Sequence, residues 1–162
     1  MRIPKVYLET SVFNFVYADD APDKQKDTLK FFAEIRQGKY EPYTSEYVIL
    51  ELTVAPEPKR SQMLHLVEEH SVAILSASDD ARRLANIYIA EGVIPAKYDD
   101  DALHVAATAA GDLDFIVSFN FRHIVKRKTV VMTGAINLRE GFRQIGIFSP
   151  TEVIETEEDA HV

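Results

Sequence analysis

The 162-residue chain has no cysteine, which excludes disulfides, thiolate nucleophiles and cysteine-ligated zinc. Its six glycines build no glycine-rich phosphate loop, so nucleotide hydrolysis of the P-loop kind is not expected. No apolar run approaches the roughly 20 residues that span a bilayer. Met1-Arg2-Ile3-Pro4-Lys5 leads straight into a strand-like run without an apolar leader or a small-residue cleavage site, so a cytoplasmic protein with no membrane partner is expected. There is also no linker, internal repeat or low-complexity stretch. Positive charge is scarce, with 18 Lys and Arg against 26 Asp and Glu for a net charge of −8. Taken whole, that balance opposes a nucleic-acid partner.

The distribution of charge weakens this exclusion. The segment from Glu155 to Val162 holds Glu155, Glu157, Glu158 and Asp159 and no Lys or Arg, so it carries half of the excess. Residues 115–143 hold Arg122, Lys126, Arg127, Lys128, Arg139 and Arg143 against the single acid Glu140. A local basic face on an acidic protein still contacts phosphates, although a solvated surface is the commoner meaning of such a patch. Length, 46% hydrophobic content and 27% charged content fit one soluble domain with a sizeable core. The expected organisation is a single domain over 1–154 and an acidic, disordered tail over 155–162.

Strand and helix signals alternate along that domain. Strands are expected at about 3–8, 43–44, 72–75 (a buried one), 115–118 and 145–148. Helices are expected at 22–37, where Leu29, Phe32, Ala33 and Ile35 recur near helical spacing and Gly38 supplies a stop, from the cap Ser45 through Glu51, and over 59–69. Further helices are expected from the cap Ser78 to near Gly92, then at 99–110 and 135–143, with Ser11 capping a short turn after the first strand. Strands separated by helices imply crossover connections and a mainly parallel sheet, covered on both faces as an α/β fold. In such sheets functional groups gather at the carboxyl ends of the strands.

Four acidic residues interrupt otherwise apolar runs: Glu9, Glu51, Asp101 and Asp114. Carboxylates rarely enter a core unless they are paired or bind metal, and carboxylates delivered from separate elements to one sheet edge suit hard cations such as Mg²⁺ or Mn²⁺. Asp99, Asp100 and Asp101 could simply serve a helix start, yet a cap needs one residue and three adjacent carboxylates repel one another without a cation nearby. Glu51 reads equally well as an exposed helix residue. Asp114 falls at the opposite edge and reads as structural. His104, one turn from Asp101, could face the site, but a hydrogen-bonded, semi-buried histidine is the commoner outcome. Ser11 and Ser118 could bond a ligand or cap their elements.

Four strings together carry a family resemblance: Tyr7-Leu8-Glu9-Thr10-Ser11-Val12-Phe13, Ser45-Glu46-Tyr47-Val48-Ile49-Leu50-Glu51-Leu52, Asp101-Ala102-Leu103-His104-Val105-Ala106-Ala107-Thr108, and Ile116-Val117-Ser118-Phe119-Asn120-Phe121-Arg122-His123-Ile124. In order and spacing the chain resembles PIN-domain proteins, VapC-like toxins among them. The resemblance implies a three-layer α/β/α sandwich and metal-dependent hydrolysis of RNA phosphodiesters. It implies that Glu9, Glu51 and Asp101 hold Mg²⁺ or Mn²⁺, with Ser11, Ser118, Asn120 and His123 as accessories. It further implies an RNA substrate, a small antitoxin protein and a homodimer; the local excess of positive charge places Arg122, Lys126, Arg127 and Lys128 along the RNA path. Two departures stand out: Glu9 occupies a position that typically holds Asp, and Asn120 and His123 stand where many relatives place an acid. The alternative reading is a catalytically impaired PIN-like module that binds RNA or protein. A haloacid-dehalogenase-like phosphatase would need Asp-x-Asp at the first strand, which Glu9-Thr10-Ser11 does not supply.

Overall fold

In β1 (Lys5–Leu8) the residues Val6, Tyr7 and Leu8 point alternately to opposite faces, and all three are completely buried. A strand with no exposed face must be central and covered on both sides. The computed structural model, which describes residues 2–156, places β1 in the middle of five strands. They run in the order β3-β2-β1-β4-β5, with β2 at Glu41–Ser45, β3 at Ala73–Leu75, β4 at Phe115–Val117 and β5 at Gly146–Phe148. Every pairing is parallel. Helices flank the sheet: α1 (Thr10–Phe15), α2 (Pro22–Arg36), α3 (Glu46–Thr53), α4 (Lys59–Glu69), α5 (Asp79–Ala90), α6 (Asp99–Ala110), α7 (Arg127–Arg139) and the short α8 (Pro150–Val153). The expected α/β architecture with a parallel central sheet is the one observed. No helix among the described residues is long and apolar enough to cross a membrane.

The strand order reverses direction beside β1: the chain steps outward through β2 and β3, then returns to lay β4 on β1's other side. Such a switch point opens a crevice at the carboxyl ends of the two central strands, and Glu9 and Ser118 are the first residues beyond them. Helix α6 packs closely on α5 and also meets α3. It is buried almost all round, because Ala102, Ala106, Ala107 and Ala109 let its backbone approach its neighbours. Its end at Gly111 is equally tight, since a β-carbon there would lie 2.8 Å from the Ala107 carbonyl oxygen and 2.9 Å from Leu75.

Several local expectations are corrected. Helix α7 begins at Arg127 and not at 135, and it ends at Arg139. Its buried stripe is Thr129, Thr133, Ile136 and Asn137, mostly polar, so apolar periodicity misses its first turns. These polar groups are satisfied within the helix and across to α5, with Thr133 Oγ1 donating to Thr129 O at 2.6 Å and Asn137 accepting from the buried Tyr88 hydroxyl. Gly141, at φ +78°, then takes the left-handed position that closes the helix. β3 is an exposed edge rather than a buried strand, with Ile74 51% exposed. In α2 the buried residues are Thr28, Phe31, Phe32, Glu34 and Ile35, while Leu29 is exposed. Ser45 precedes α3 but its side chain caps nothing, and α1 is capped by Glu9 and not by Ser11.

Asp114 sits at the edge opposite Glu9. It accepts the Lys5 backbone N–H at 2.7 Å and Arg2 at 2.7 Å, and it is also gripped by Arg143. Burial works against its charged form, yet the Lys5 hydrogen bond and the two arginines hold its carboxyl below the usual range. Its role is structural: it ties the chain start to the strands either side. At the other terminus, the Glu155 backbone N–H donates to Glu34 at 3.0 Å and the Glu155 carboxylate pairs with Lys39 at 2.5 Å. Most of the expected tail, residues 157–162, lies outside the described residues.

Replacing Asp114 by Ala removes a charged acceptor from three donors. Hydrogen bonds to charged groups contribute about 1.5–3 kcal/mol each at most, so Asp114→Ala is expected to lower unfolding free energy by about 1–3 kcal/mol, read from the urea midpoint; an unchanged midpoint would contradict this role.

Candidate functional site

Glu9 leaves β1 in an extended conformation (φ −80°, ψ 159°) and folds its side chain back over the start of α1. Its Oε1 accepts two hydroxyls, Ser11 Oγ at 2.6 Å and Ser118 Oγ at 2.5 Å, and its Oε2 accepts the Ser11 backbone N–H at 3.2 Å. Each serine then accepts an N–H from the loop after β4: Phe119 N bonds Ser11 Oγ at 2.8 Å and Asn120 N bonds Ser118 Oγ at 2.9 Å. Two serines thus hold a carboxylate that is only 5% exposed, and they lock the β1 and β4 ends together. Ser11 acts here as a clamp on Glu9, which explains why it does not cap the helix itself.

Glu51 reaches the same crevice from the flank of α3, with 32% of its side chain exposed. His104 of α6 meets it, Nε2 lying 2.5 Å from Glu51 Oε1. The other ring nitrogen, Nδ1, lies 2.7 Å from the Tyr7 hydroxyl, which in turn lies 2.6 Å from Ser45 Oγ. His104, Tyr7 and Ser45 are all buried. Ligand atoms of Glu9, Glu51 and His104 fall within 4.8 Å of one another. Burial opposes the charged imidazole, but the Glu51 hydrogen bond and the negative charges of Glu51, Glu9 and Asp101 carry the His104 pKa above its ordinary value. Tyr7 is pushed well above the usual tyrosine value, first by burial and then by the nearby charges of Glu9 and Glu51.

Asp101 stands in the first turn of α6, half-buried, with Glu9, Glu51 and His104 as its charged neighbours. Burial pushes its carboxyl up to about 6, assisted by Glu9 and Glu51 and opposed by the Asn120 side chain and His104. Asp100 is raised as well, by burial and then by Glu51 and Asp99. Among the described residues no Lys or Arg forms an ion pair with Glu9, Glu51 or Asp101; His104 is their one cationic partner. Three carboxylates therefore share at most one imidazole, an arrangement suited to a divalent cation.

Asn120 serves this site indirectly. Its Oδ1 accepts the His123 backbone N–H at 3.0 Å, which commits one acceptor to the loop and leaves the amide beside Asp101. His123 turns away and stacks on Tyr98 with ring centroids 4.1 Å apart; partial burial and then the charges of Arg122 and Lys126 lower its pKa. Arg122 lies over the other aromatic of that pair, 5.5 Å from the Tyr98 ring centre. Lys126, Arg127 and Lys128 begin α7, exposed. None of these four cations is ion-paired among the described residues, whereas Arg139 pairs with Glu91 and Glu140, and Arg143 with Asp114. The basic excess of 115–143 is thus narrower than its count suggests.

Sequence reasoning left His104 between facing the site and being satisfied inside the core. It does both. Tyr7 carried no signal of its own, since an aromatic in an apolar strand reads as core. The one available cue was that Tyr7 immediately precedes Leu8-Glu9, which fixes its hydroxyl near the strand's carboxyl end.

Comparison of folds finds similarity to Mycobacterium tuberculosis VapC20, a toxin that cleaves the sarcin-ricin loop. The TM-score is 0.51 at 14% sequence identity, over 86% of this chain and 98% of that one. At this identity the likeness is one of fold, and it agrees with the PIN-like architecture that the four strings imply. No protein-family model matches the chain, and no curated protein matches it significantly.

The crowding of Asp101 has a measurable consequence. A carboxyl raised to about 6 when folded against about 3.9 unfolded makes the folded state bind more protons between those values. Its stabilising contribution is complete below the lower value and is lost as pH rises through the higher one. Asp101→Asn is therefore expected to raise the melting temperature of metal-free protein at pH 7 while changing little at pH 4, measured by thermal melts at both.

Proposed function

We propose that the chain is a divalent-metal-dependent endoribonuclease of the PIN type, acting as the toxin of a toxin–antitoxin pair. What supports this reading is the cluster of Glu9, Glu51 and His104 at the switch point of the sheet, with ligand atoms within 4.8 Å of one another, beside which Asp101 feels the charges of Glu9 and Glu51. The likeness of fold to VapC20 supports it.

Glu9, Glu51 and Asp101 offer hard oxygen donors, which fit Mg²⁺ or Mn²⁺. When bound, the ion supplies an activated water and charge neutralisation at the phosphate. The chain's own residues provide the rest. Ser11 and Ser118 hold Glu9 so that its longer side chain is folded back, which offsets the extra methylene relative to Asp. Asn120 favours the ionised form of Asp101 but adds no charge. Arg122, Lys126, Arg127 and Lys128, exposed and in no ion pair among the described residues, provide phosphate contacts along the loop that leads from Asn120 into α7.

The same reading brings a small protein antitoxin, a homodimer and a cytoplasmic setting. Leu50 on α3, Val54 just past its end, and Ile74 on the edge strand are 65%, 84% and 51% exposed. An apolar patch of that kind next to a catalytic crevice gives a protein partner something to cover.

Incubation with mixed RNAs is expected to show cleavage that requires Mg²⁺ or Mn²⁺. Glu9→Gln keeps shape while removing a charge, and is expected to lower cleavage by about 100-fold or more. Glu9→Asp is expected to retain metal-dependent activity. Cleavage by Glu9→Gln at the parental rate would remove Glu9 from the site. RNA binding without cleavage by either the parent or Glu9→Asp would identify a binding module instead.

Reversing Arg122 and Lys126 to Glu is expected to weaken RNA binding. The slope of log affinity against log salt should also fall, by about 0.7 on single-stranded RNA for each phosphate no longer neutralised. A parental slope would return these cations to solvent.

A further inference from the structure

Of the three carboxylates, Glu51 is the one held by neither a strand end nor a helix start. It projects from the side of α3 with a third of its side chain in solvent, where fixing a glutamate costs rotamer entropy. Something must hold it if it is to meet an ion in one geometry. His104 is the only partner among the described residues that does so.

By distance alone His104 could itself be a ligand, since its ring nitrogen belongs to the cluster within 4.8 Å. The contact itself argues otherwise. Two donors sharing one ion at about 2.0–2.2 Å each, in adjacent positions, stand about 3 Å apart. Nε2 and Glu51 Oε1 are instead in direct hydrogen-bond contact, so a hydrogen lies between them. An ionised carboxylate only accepts, so Nε2 carries that hydrogen whether the ring is neutral or cationic, and a protonated nitrogen has no lone pair to give. Nδ1 is taken too, by the Tyr7 hydroxyl at 2.7 Å, and Tyr7 is taken by Ser45 at 2.6 Å.

We propose that His104 is a positioning residue that aims Glu51, and that Tyr7, anchored on Ser45, fixes the ring of His104. The inference rests on the metal-dependent reading above. It makes the sheet the reference frame of the site: Tyr7 belongs to β1 and Ser45 to the end of β2, so a buried chain of three hydrogen bonds transmits the strand positions through α6 to a carboxylate on α3. Hydrogen-bond partners of metal ligands commonly contribute 10–100-fold to metal affinity. Tyr7→Phe removes the hydroxyl that links Ser45 to His104 and keeps the ring that fills the core.

The test is Mn²⁺ binding to metal-free protein, with free Mn²⁺ counted by electron paramagnetic resonance, for the parent, Tyr7→Phe, His104→Gln and His104→Leu. Thermal melts verify that each variant is folded. The parent is expected to bind Mn²⁺ with no coupling to a directly bound imidazole nitrogen. Tyr7→Phe is expected to weaken binding by several-fold to about 10-fold, and His104→Leu by about 10–100-fold. His104→Gln, whose amide can still donate to Glu51, is expected to bind more tightly than His104→Leu. Coupling to a directly bound imidazole nitrogen, or parental affinity in Tyr7→Phe, would overturn the proposal while leaving the metal site standing. A parent that binds no Mn²⁺ would overturn the metal reading itself. Should His104→Leu fail to fold, Tyr7→Phe and the spectrum of the parent decide the matter alone.

Discussion

Negative charge at the junction of β1 and β4, met by a single imidazole and by no Lys or Arg ion pair among the described residues, is the constraint around which the rest of this structure is arranged. Glu9 is nearly buried, Asp101 and Glu51 half-buried, and no Lys or Arg among the described residues reaches them. Water screens them little in such a place, so several nearby polar groups are committed to holding their oxygens. Two serines close on Glu9, an asparagine stands beside Asp101, and an imidazole meets Glu51. The raised carboxyl of Asp101 comes first from its burial and then from the charges of Glu9 and Glu51.

The crowding is tolerated because the surrounding fold is strongly determined. Val6, Tyr7, Leu8, Ile116 and Val117 are completely buried, and burial of each such side chain contributes about 1.5–3 kcal/mol. A central pair of strands anchored that firmly can present strained electrostatics at its end without losing its register. Asp114, at the opposite edge, shows the contrasting case: a carboxylate given two arginines and a backbone N–H, and so kept low in pKa and outside the crevice. The same residue type has opposite chemistry at the two edges of one sheet, and its partners account for the difference.

Similar logic separates the cations. Arg139 and Arg143 direct their charge to Glu91, Glu140 and Asp114, joining helices and strands. Arg122, Lys126, Arg127 and Lys128 have no such partner among the described residues and follow the loop that leaves the site. A count of basic residues along 115–143 merges the two groups; only ion pairing distinguishes them.

The alternation of strand and helix signals determined an α/β fold with a parallel sheet, because parallel strands need crossovers and covered faces need continuous apolar runs such as Val6-Tyr7-Leu8. Carboxylates at the ends of apolar runs, at Glu9 and before Ala102-Leu103, marked where chemistry could lie. The first turns of helix α7 escaped detection because its buried stripe is mostly threonine and asparagine, satisfied by neighbours that apolar periodicity does not register. The edge position of β3 was hidden for a related reason: an apolar run of four residues reads alike at the centre of a sheet and at its rim. What only the tertiary structure decided is pairing across long sequence distances. Ser118 meets Glu9 across 109 residues, His104 meets Glu51 across 53, and Tyr7 meets His104 across 97. Spacing along a chain says which residues share a helix face or a strand end; which side chain fills the last hydrogen bond of another is set by how the layers close, and it follows from packing alone.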